Sequence, residues 1–432
     1  MRIGIQAWGS EGDIRPMIAL GHGLVERGHE VELVYTDIAD RRYEAVASAL
    51  GVRARAVATP VVSDIAEMHR IGLKIINARD PLTDGKIIFD EFLKPVEREL
   101  YEAATDLCAR SDLLVGHLVL HHLRAAAELA GKPEVSVTFA HTMLPSRHQH
   151  PHGAPQLGEW ANALEWRIGR MALNLMLRPD VNRLRRRVGL RPIKDLLLDG
   201  WASHLLNLIA VSPALCAGPP DWPAWNRVCG FLALPSTEHE AVSPELARFL
   251  AEGPPPVFMG FGSLMPLQSS HLTETLALLK EAARLADCRA ILQADVPPER
   301  DDRVMTVSRT PHAQVFPLCA AVVHHCGAGT THTTLKAGVP SVPVPHVSDQ
   351  YQWAAELRRV GVAPAAIPRR RLTAAGLAAR IRETLQTPRM RERARQIQAE
   401  MTDDDGPGTG AQLIESAYAA FGRFGGQGGH ET

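Results

Sequence analysis

A chain of 432 residues is too long for one ordinary hydrophobic core, so two domains of roughly 200 residues each are expected. Its formal net charge of -1, with 47 basic and 48 acidic side chains interspersed, removes any electrostatic reason to invoke nucleic acid or an anionic membrane and leaves a small molecule as the natural partner. Six cysteines without a C-x-x-C pair suit free thiols in a reducing compartment, no run approaches the ~18 apolar residues of a membrane span, and the N-terminus carries no signal-peptide pattern, so a cytoplasmic protein is expected.

In chain order, RIGIQAW (2–8) reads as a buried strand, GSEGD (9–13) as a Gly-rich turn, and IRPMIALGHGLVERG (14–28) as a helix with Pro16 early and Gly28 as its stop. HEVELVYTD (29–37) is a second strand, which completes a β-α-β unit, and DLLVGHL, HHLRAAAELAG and PEVSVTF continue the alternation. From Leu144 to Leu198 longer helical stretches follow the loop PSRHQHPHGAP, an excursion of the kind that shapes a binding cleft. Residues 214–253 are rich in Pro and turn residues and are read as the linker. The alternation restarts with PPVFMGFGSLMP, the helix SHLTETLALLKEAARLAD and the strand RAILQA. The expected organisation is an N-terminal domain over 1–213, a C-terminal domain over 254–405, a helix over 406–424 packing back toward the first domain, and a disordered Gly-rich tail over 425–432.

The stretch HHCGAGTTHTTLKAGVPSVPVPHVSDQ (324–350) predicts a buried strand, a tight turn at Gly327-Ala328-Gly329 and a helix starting at Thr330 or Thr331. Glycines let the backbone pass close to a bulky ligand, and the first N–H groups of a helix favour phosphate, so with hydroxyls from Thr330 and Thr331 and a ring N–H from His325 the stretch describes a diphosphate cradle without a P-loop lysine. Taken alone, Gly-x-Gly after a strand is equally a plain turn. At these residues the chain resembles the family 1 glycosyltransferases, especially the bacterial and fungal branch of sterol glucosyltransferases, glycopeptide-antibiotic glycosyltransferases and rhamnolipid-type rhamnosyltransferases. Their signature reads H-H-G-G-A-G-T-T and closes with D-Q; here Cys326 stands in place of its first glycine. GSEGDIRPMIALGHGLVERGHEV, VFMGFGSL, TPHAQVFPLCAAVVHH and VNRLRRRVGL match further segments of that branch, in order.

The resemblance implies an α/β GT-B fold: two facing Rossmann-like domains with parallel sheets and a cleft between them, the donor mainly on the C-terminal domain and the acceptor mainly on the N-terminal one. It implies that His325 and Thr330, with the turn glycines Gly327 and Gly329, bind the diphosphate, and that Ser263 reaches it from the other loop. His312 is implied as an edge contact to the base, and Asp349 and Gln350 as partners of the sugar hydroxyls. Arg309 stands near the position where plant relatives stack a tryptophan on the base, and His324 is read as structural. No cofactor or metal is implied, the UDP-sugar being a co-substrate.

Asp13 lies in the first Gly-rich turn at a helix start, where an acid serves either as a helix cap or as a general base for an attacking hydroxyl. The resemblance assigns it as the base, and Ser10, His117 and His141 are candidates for acceptor contact or assistance. The alternating histidines of HQHPH (148–152) lack a supporting Cys or carboxylate cluster for zinc, and the DDD at 403–405 reads as a solvated turn. A dinucleotide-binding dehydrogenase would use Gly9, Gly12 and Asp37, but the G-x-G-x-x-G spacing is absent. The expected function is inverting transfer of a hexose, glucose from UDP-glucose, to a hydroxyl of an apolar acceptor such as a sterol, polyketide, flavonoid-like compound or hydroxy-lipid. The enzyme would act as a monomer or weak dimer, with peripheral membrane contact if the acceptor is lipid. The alternatives are a dTDP-deoxysugar transferase and a catalytically silent auxiliary protein of the same fold.

Overall fold

The first strand carries almost no polar alternation: seven of the eight residues of β1 (Arg2–Gly9) are buried, as a parallel sheet covered on both faces requires. The computed structural model to which it belongs describes residues 1–58, 65–76, 78, 80–151, 153–235, 242–262, 272–347 and 349–425. Two compact units result, one of Met1–Ser63, Arg79–Leu234 and Asp404–Thr432, the other of Asp64–Ala78 and Pro235–Asp403.

In the first unit β1 pairs in parallel with β2 (Glu30–Asp37) on one side and β4 (Leu113–His117) on the other. With β3 (Arg53–Ala56), β5 (Glu134–Thr138), β6 (Leu206–Ile209) and β7 (Asn226–Val228) the sheet has the order β3-β2-β1-β4-β5-β6-β7. The register runs from Arg2 opposite Glu30 to Gly9 opposite Asp37, so the carboxyl ends of β1 and β2 are level. Ile14, Met17, Ile18 and Leu20 of the helix Glu11–Glu26 join Ala411 and Ile414 of the helix Gly406–Gly425 in one core over this sheet. The two helices meet at Gly23, where a Cβ would lie 2.6 Å from the Pro407 carbonyl oxygen.

The second unit repeats the plan. Here β8 (Val257–Gly260), β9 (Ala290–Gln293), β10 (Val304–Val307), β11 (Ala321–His324) and β12 (Ser341–Pro343) form a parallel sheet in the order β10-β9-β8-β11-β12. In both sheets the strand order reverses at the first strand, between β1 and β4 and between β8 and β11. That reversal opens a crevice at the carboxyl ends of those strands, where ligands of open α/β sheets bind.

Several boundaries differ from the sequence reading. The Pro-rich stretch 214–253 is not a plain linker: it supplies β7 and the helix Pro244–Ala251, because a three-residue edge strand leaves no hydrophobic period to detect. The division between units falls at Leu234/Pro235, inside that stretch. The excursion resolves into the helices Glu159–Met176 and Arg178–Arg187. In the acidic run, Asp404 accepts a hydrogen bond from the Ser212 hydroxyl, and Asp405 Oδ1 accepts one from the Gly408 N–H at 2.9 Å. Ser263, His152 and residues 426–432 of the tail lie outside the described residues.

Candidate active site

At the end of β1 the chain turns at once into the Glu11–Glu26 helix with Ser10 as its N-cap. Asp13 folds back over this turn, and its Oδ2 accepts hydrogen bonds from the Ser10 N–H at 2.8 Å and the Ser10 hydroxyl at 3.1 Å. This is the acidic half of a capping box. It requires glycine at position 9, where φ is +136° and a Cβ would lie 2.3 Å from Asp13 Oδ2. Cap and base are therefore compatible roles: capping engages Oδ2, while Oδ1 has no hydrogen-bond partner among the described residues.

His117 ends β4, the neighbour of β1, and its ring stacks on Phe139 with centroids 5.1 Å apart. Burial pulls its pKa below the usual histidine value, while the Asp13 carboxylate acts in the opposite sense, which puts the two groups in electrostatic reach. Its Nδ1 is buried without a hydrogen-bond partner among the described residues. His141 is buried in the turn His141–Met143 that follows β5. The first unit thus gathers Ser10, Asp13 and His117 at one switch point, with Ser10 as the residue that positions Asp13. Asp37 belongs to another arrangement: Oδ1 accepts from the Ala39 and Arg41 N–H groups at 2.7 and 3.1 Å and Oδ2 from the Tyr43 hydroxyl at 2.8 Å, so both oxygens hold the turn that follows β2. Of the alternating histidines, His148 pairs with Glu159 at 3.2 Å and His150 Nδ1 lies 3.0 Å from the Pro151 carbonyl.

In the second unit the two adjacent histidines at the end of β11 have different environments. His324 is fully buried; its Nδ1 accepts from the Cys326 N–H at 3.2 Å, which leaves Nε2–H to donate to the Ser341 hydroxyl at 3.0 Å. It is structural, and burial lowers its pKa to about 3. The His325 ring lies between two glycines: a Cβ on Gly262 (φ +66°) would sit 2.6 Å from its Cε1, and one on Gly327 would sit 2.5 Å from its Nε2. Burial lowers its pKa to about 4, and Nδ1 is buried with no hydrogen-bond partner among the described residues.

Cys326, in place of the signature glycine, holds the left-handed φ of 66° that the glycine would supply. The following helix is Ala328–Lys336, two or three residues earlier than the sequence suggests, because Gly327 with φ −63° and ψ 147° already acts as N-cap. Its first internal hydrogen bond runs from the Thr331 N–H to the Gly327 carbonyl at 3.0 Å. The amides of Ala328, Gly329 and Thr330 therefore point out of the helix end beside His325. No acidic residue lies in that first turn, so nothing in it competes with an anion.

His312, Arg309, Asp349 and Gln350 lie in the same unit as this turn. His312 Nε2 lies 2.8 Å from Gln293 Oε1 and its ring stacks on Phe316 at 4.5 Å, which leaves its backbone as the edge toward a base. Arg309 is exposed. Asp349 stands at the N-cap position of the helix Gln350–Arg359, and its charge is felt at the Cys326 thiol. Gln350 is buried, and its Oε1 accepts from the His346 and Val347 N–H groups at 2.8 and 3.2 Å, so toward a ligand it can donate but not accept. Sequence reasoning missed Gly262, Gln293 and His346. Gly262 had a signal in the G-F-G-S turn, and Gln293 one as the polar last residue of β9. His346, buried 4.8 Å from the Phe261 ring and 6.2 Å from His325, had none.

Residues 285–416 match the family described as erythromycin biosynthesis protein CIII-like, C-terminal domain. The chain is 31% identical over 426 residues to O-mycaminosyltylonolide 6-deoxyallosyltransferase of Streptomyces fradiae, which covers 96% of this chain and 97% of that protein. It is 29% identical over 422 residues to a sterol 3-beta-glucosyltransferase of Arabidopsis thaliana, covering 94% of this chain and 66% of that one. Among solved structures, glycosyltransferase VinC in complex with DTDP superposes with a TM-score of 0.65 at 19% identity, covering 97% of this chain and 100% of that one.

Proposed function

The chain belongs to the family 1 glycosyltransferases of GT-B fold, in the branch that holds macrolide and sterol enzymes, and from that premise we propose that it is an inverting hexosyltransferase that moves glucose from UDP-glucose to a hydroxyl of an apolar small molecule. The observation that carries the donor half is the His325 ring seated between Gly262 and Gly327, beside three outward amides of the Ala328–Lys336 helix. These groups concentrate positive potential where a leaving diphosphate accumulates charge. Thr330 adds a hydroxyl there, Asp349 accepts from a sugar hydroxyl and Gln350 donates to another.

In the reaction the acceptor oxygen attacks the anomeric carbon from the face opposite the diphosphate, the carbon–oxygen bond to the diphosphate breaks, and the acceptor proton passes to Asp13 Oδ1. Ser10 holds the other carboxylate oxygen, so the base meets the substrate in one orientation. His117, in reach of Asp13, assists by steering that carboxylate. The step as drawn uses side chains and backbone amides alone, with no cofactor.

The apolar acceptor is supported by the helix Glu159–Met176, which exposes Trp160, Leu164, Ile168, Met171 and Leu175 at helical spacing. Such a stripe also suits peripheral contact with a membrane if the acceptor is a lipid; no described helix is long and apolar enough to cross one. None of the six cysteines forms a disulfide, consistent with action in the reducing cytoplasm.

A second reading, transfer of a deoxysugar from a dTDP donor, is favoured by the 6-deoxyallosyl specificity in the name of the Streptomyces relative and by the DTDP held by VinC. Purified protein is to be incubated with UDP-glucose or dTDP-rhamnose and a panel of sterol, polyketide, flavonoid and hydroxy-lipid acceptors, with products read by mass spectrometry. A hexose adduct from UDP-glucose supports the first reading and a deoxyhexose adduct the second. Absence of any adduct, with nucleotide still bound, favours a silent auxiliary protein.

A further inference from the structure

Four residues beyond His117, His121 and His122 begin the helix His121–Ala130, which packs beside the helix Glu97–Arg110 that Glu97 begins. His121 is 2% and His122 0% exposed, yet His121 Nε2 and both ring nitrogens of His122 have no hydrogen-bond partner among the described residues. A neutral imidazole always presents one N–H and one lone pair, and burying both without partners is costly. The proposed transfer reaction uses neither histidine. Their rings lie 3.8 Å apart, tilted by 35°, and Phe89 covers His121 at 5.8 Å. One nitrogen of each ring and one carboxylate oxygen of Glu97 all lie within 4.8 Å of one another.

We propose that Glu97, His121 and His122 bind one Zn²⁺ ion that ties the start of the Glu97–Arg110 helix to the start of the His121–Ala130 helix. Two imidazoles and one carboxylate suit zinc, whereas Mg²⁺ and Ca²⁺ prefer oxygen ligands alone. Tetrahedral bonds of about 2.1 Å place ligand atoms about 3.4 Å apart, so loading draws the cluster inward by up to roughly 1.4 Å, within the reach of side-chain torsions. Three protein ligands leave the fourth position to water. The positive end of the His121–Ala130 helix opposes a cation, and two carboxylates offset it: Glu97 itself and Asp180, whose charge is felt at both Glu97 and His121. Arg187, 3.5 Å from Glu97, orients the carboxylate from the solvent side. The ion is a structural staple that stiffens the Leu118–Leu120 turn leading on from His117, and it stands apart from the transfer step.

The test uses the full chain, stripped with chelator and titrated with Zn²⁺ against a chromophoric competitor, with Co²⁺ absorbance as a reporter of tetrahedral geometry. One equivalent should bind, raise the melting temperature, and bind about 100-fold more weakly or worse in His122→Leu and in Glu97→Gln. Glu97→Gln keeps the size and polarity of the side chain, so it reports even if His122→Leu fails to fold. The double variant His148→Ala/His150→Ala should bind as the wild type does. Failure of the stripped wild type to take up Zn²⁺, or uptake undiminished in Glu97→Gln, overturns the proposal. Because no catalytic measurement enters, this outcome is independent of whether the chain transfers glucose.

Discussion

The Asp13 carboxylate is held by the turn that it caps: Ser10 engages Oδ2 through two hydrogen bonds, and Gly9 leaves the space that any side chain would fill. Replacing it with Asn keeps an oxygen that accepts from the Ser10 N–H but removes the basic site. Asp13→Asn should therefore lower transfer by roughly 100-fold or more while shifting stability by less than about 1 kcal/mol and leaving UDP affinity near wild type. Near-normal turnover would reduce Asp13 to a helix cap. Cys326 offers a second test at this scale, because a side chain in the left-handed region costs about 1–2 kcal/mol that glycine does not incur. Cys326→Gly should be more stable than Cys326→Ala by about 1 kcal/mol in urea unfolding, and equal midpoints would contradict the strained backbone.

One strand, one turn and one helix make the proposed donor cradle, and most of that element was legible in the sequence. An apolar run before Gly-x-Gly and a hydroxyl-rich helix after it are local patterns, so β11 and the helix are expected from sequence, while the turn is shorter than expected because Ala328 and Gly329 already belong to the helix. What was not legible depends on partners distant in the chain: that Gly262 makes room for the His325 ring, that Gln350 uses its oxygen on the His346 and Val347 amides, and that a strand of three residues at 226–228 completes the first sheet. The contacts of Asp13 were not legible either, since its Oδ2 meets the Ser10 N–H and hydroxyl only in the folded turn.

The buried His324 and the partly buried His325 beside it also set a pH dependence. Folded, His324 and His325 have pKa values near 3 and 4, below the ordinary 6.5, so the unfolded chain binds protons that the folded one refuses. Their contribution is fully present above about pH 6.5 and is lost as pH falls toward 4. Urea midpoints should fall between about pH 7 and about pH 5, and His325→Gln, which has no titrating ring, should lose part of that slope; a profile with the same slope in the variant would contradict the burial of His325.

Across the whole molecule, two sheets share the same reversed strand order, and the proposed function sets the base in the first unit and the cradle in the second. On the proposed function, sugar choice belongs to the second unit. Because Gln350 only donates toward a ligand while its oxygen anchors the 346–347 backbone, Gln350→Ala should raise KM for every donor tested rather than exchange one sugar for another. A clean switch of sugar without loss of overall donor affinity would contradict that anchoring. The claim on which the rest depends is that this chain binds a nucleoside diphosphate at the start of the Ala328–Lys336 helix, and calorimetry with UDP and dTDP tests it most directly. The wild type and Asp13→Asn should bind alike, and His325→Ala should bind roughly 10 to 100 times more weakly, the equivalent of about 1.5–3 kcal/mol for a hydrogen bond to a charged diphosphate. No binding by the wild type, or equal affinity in His325→Ala, would contradict the account.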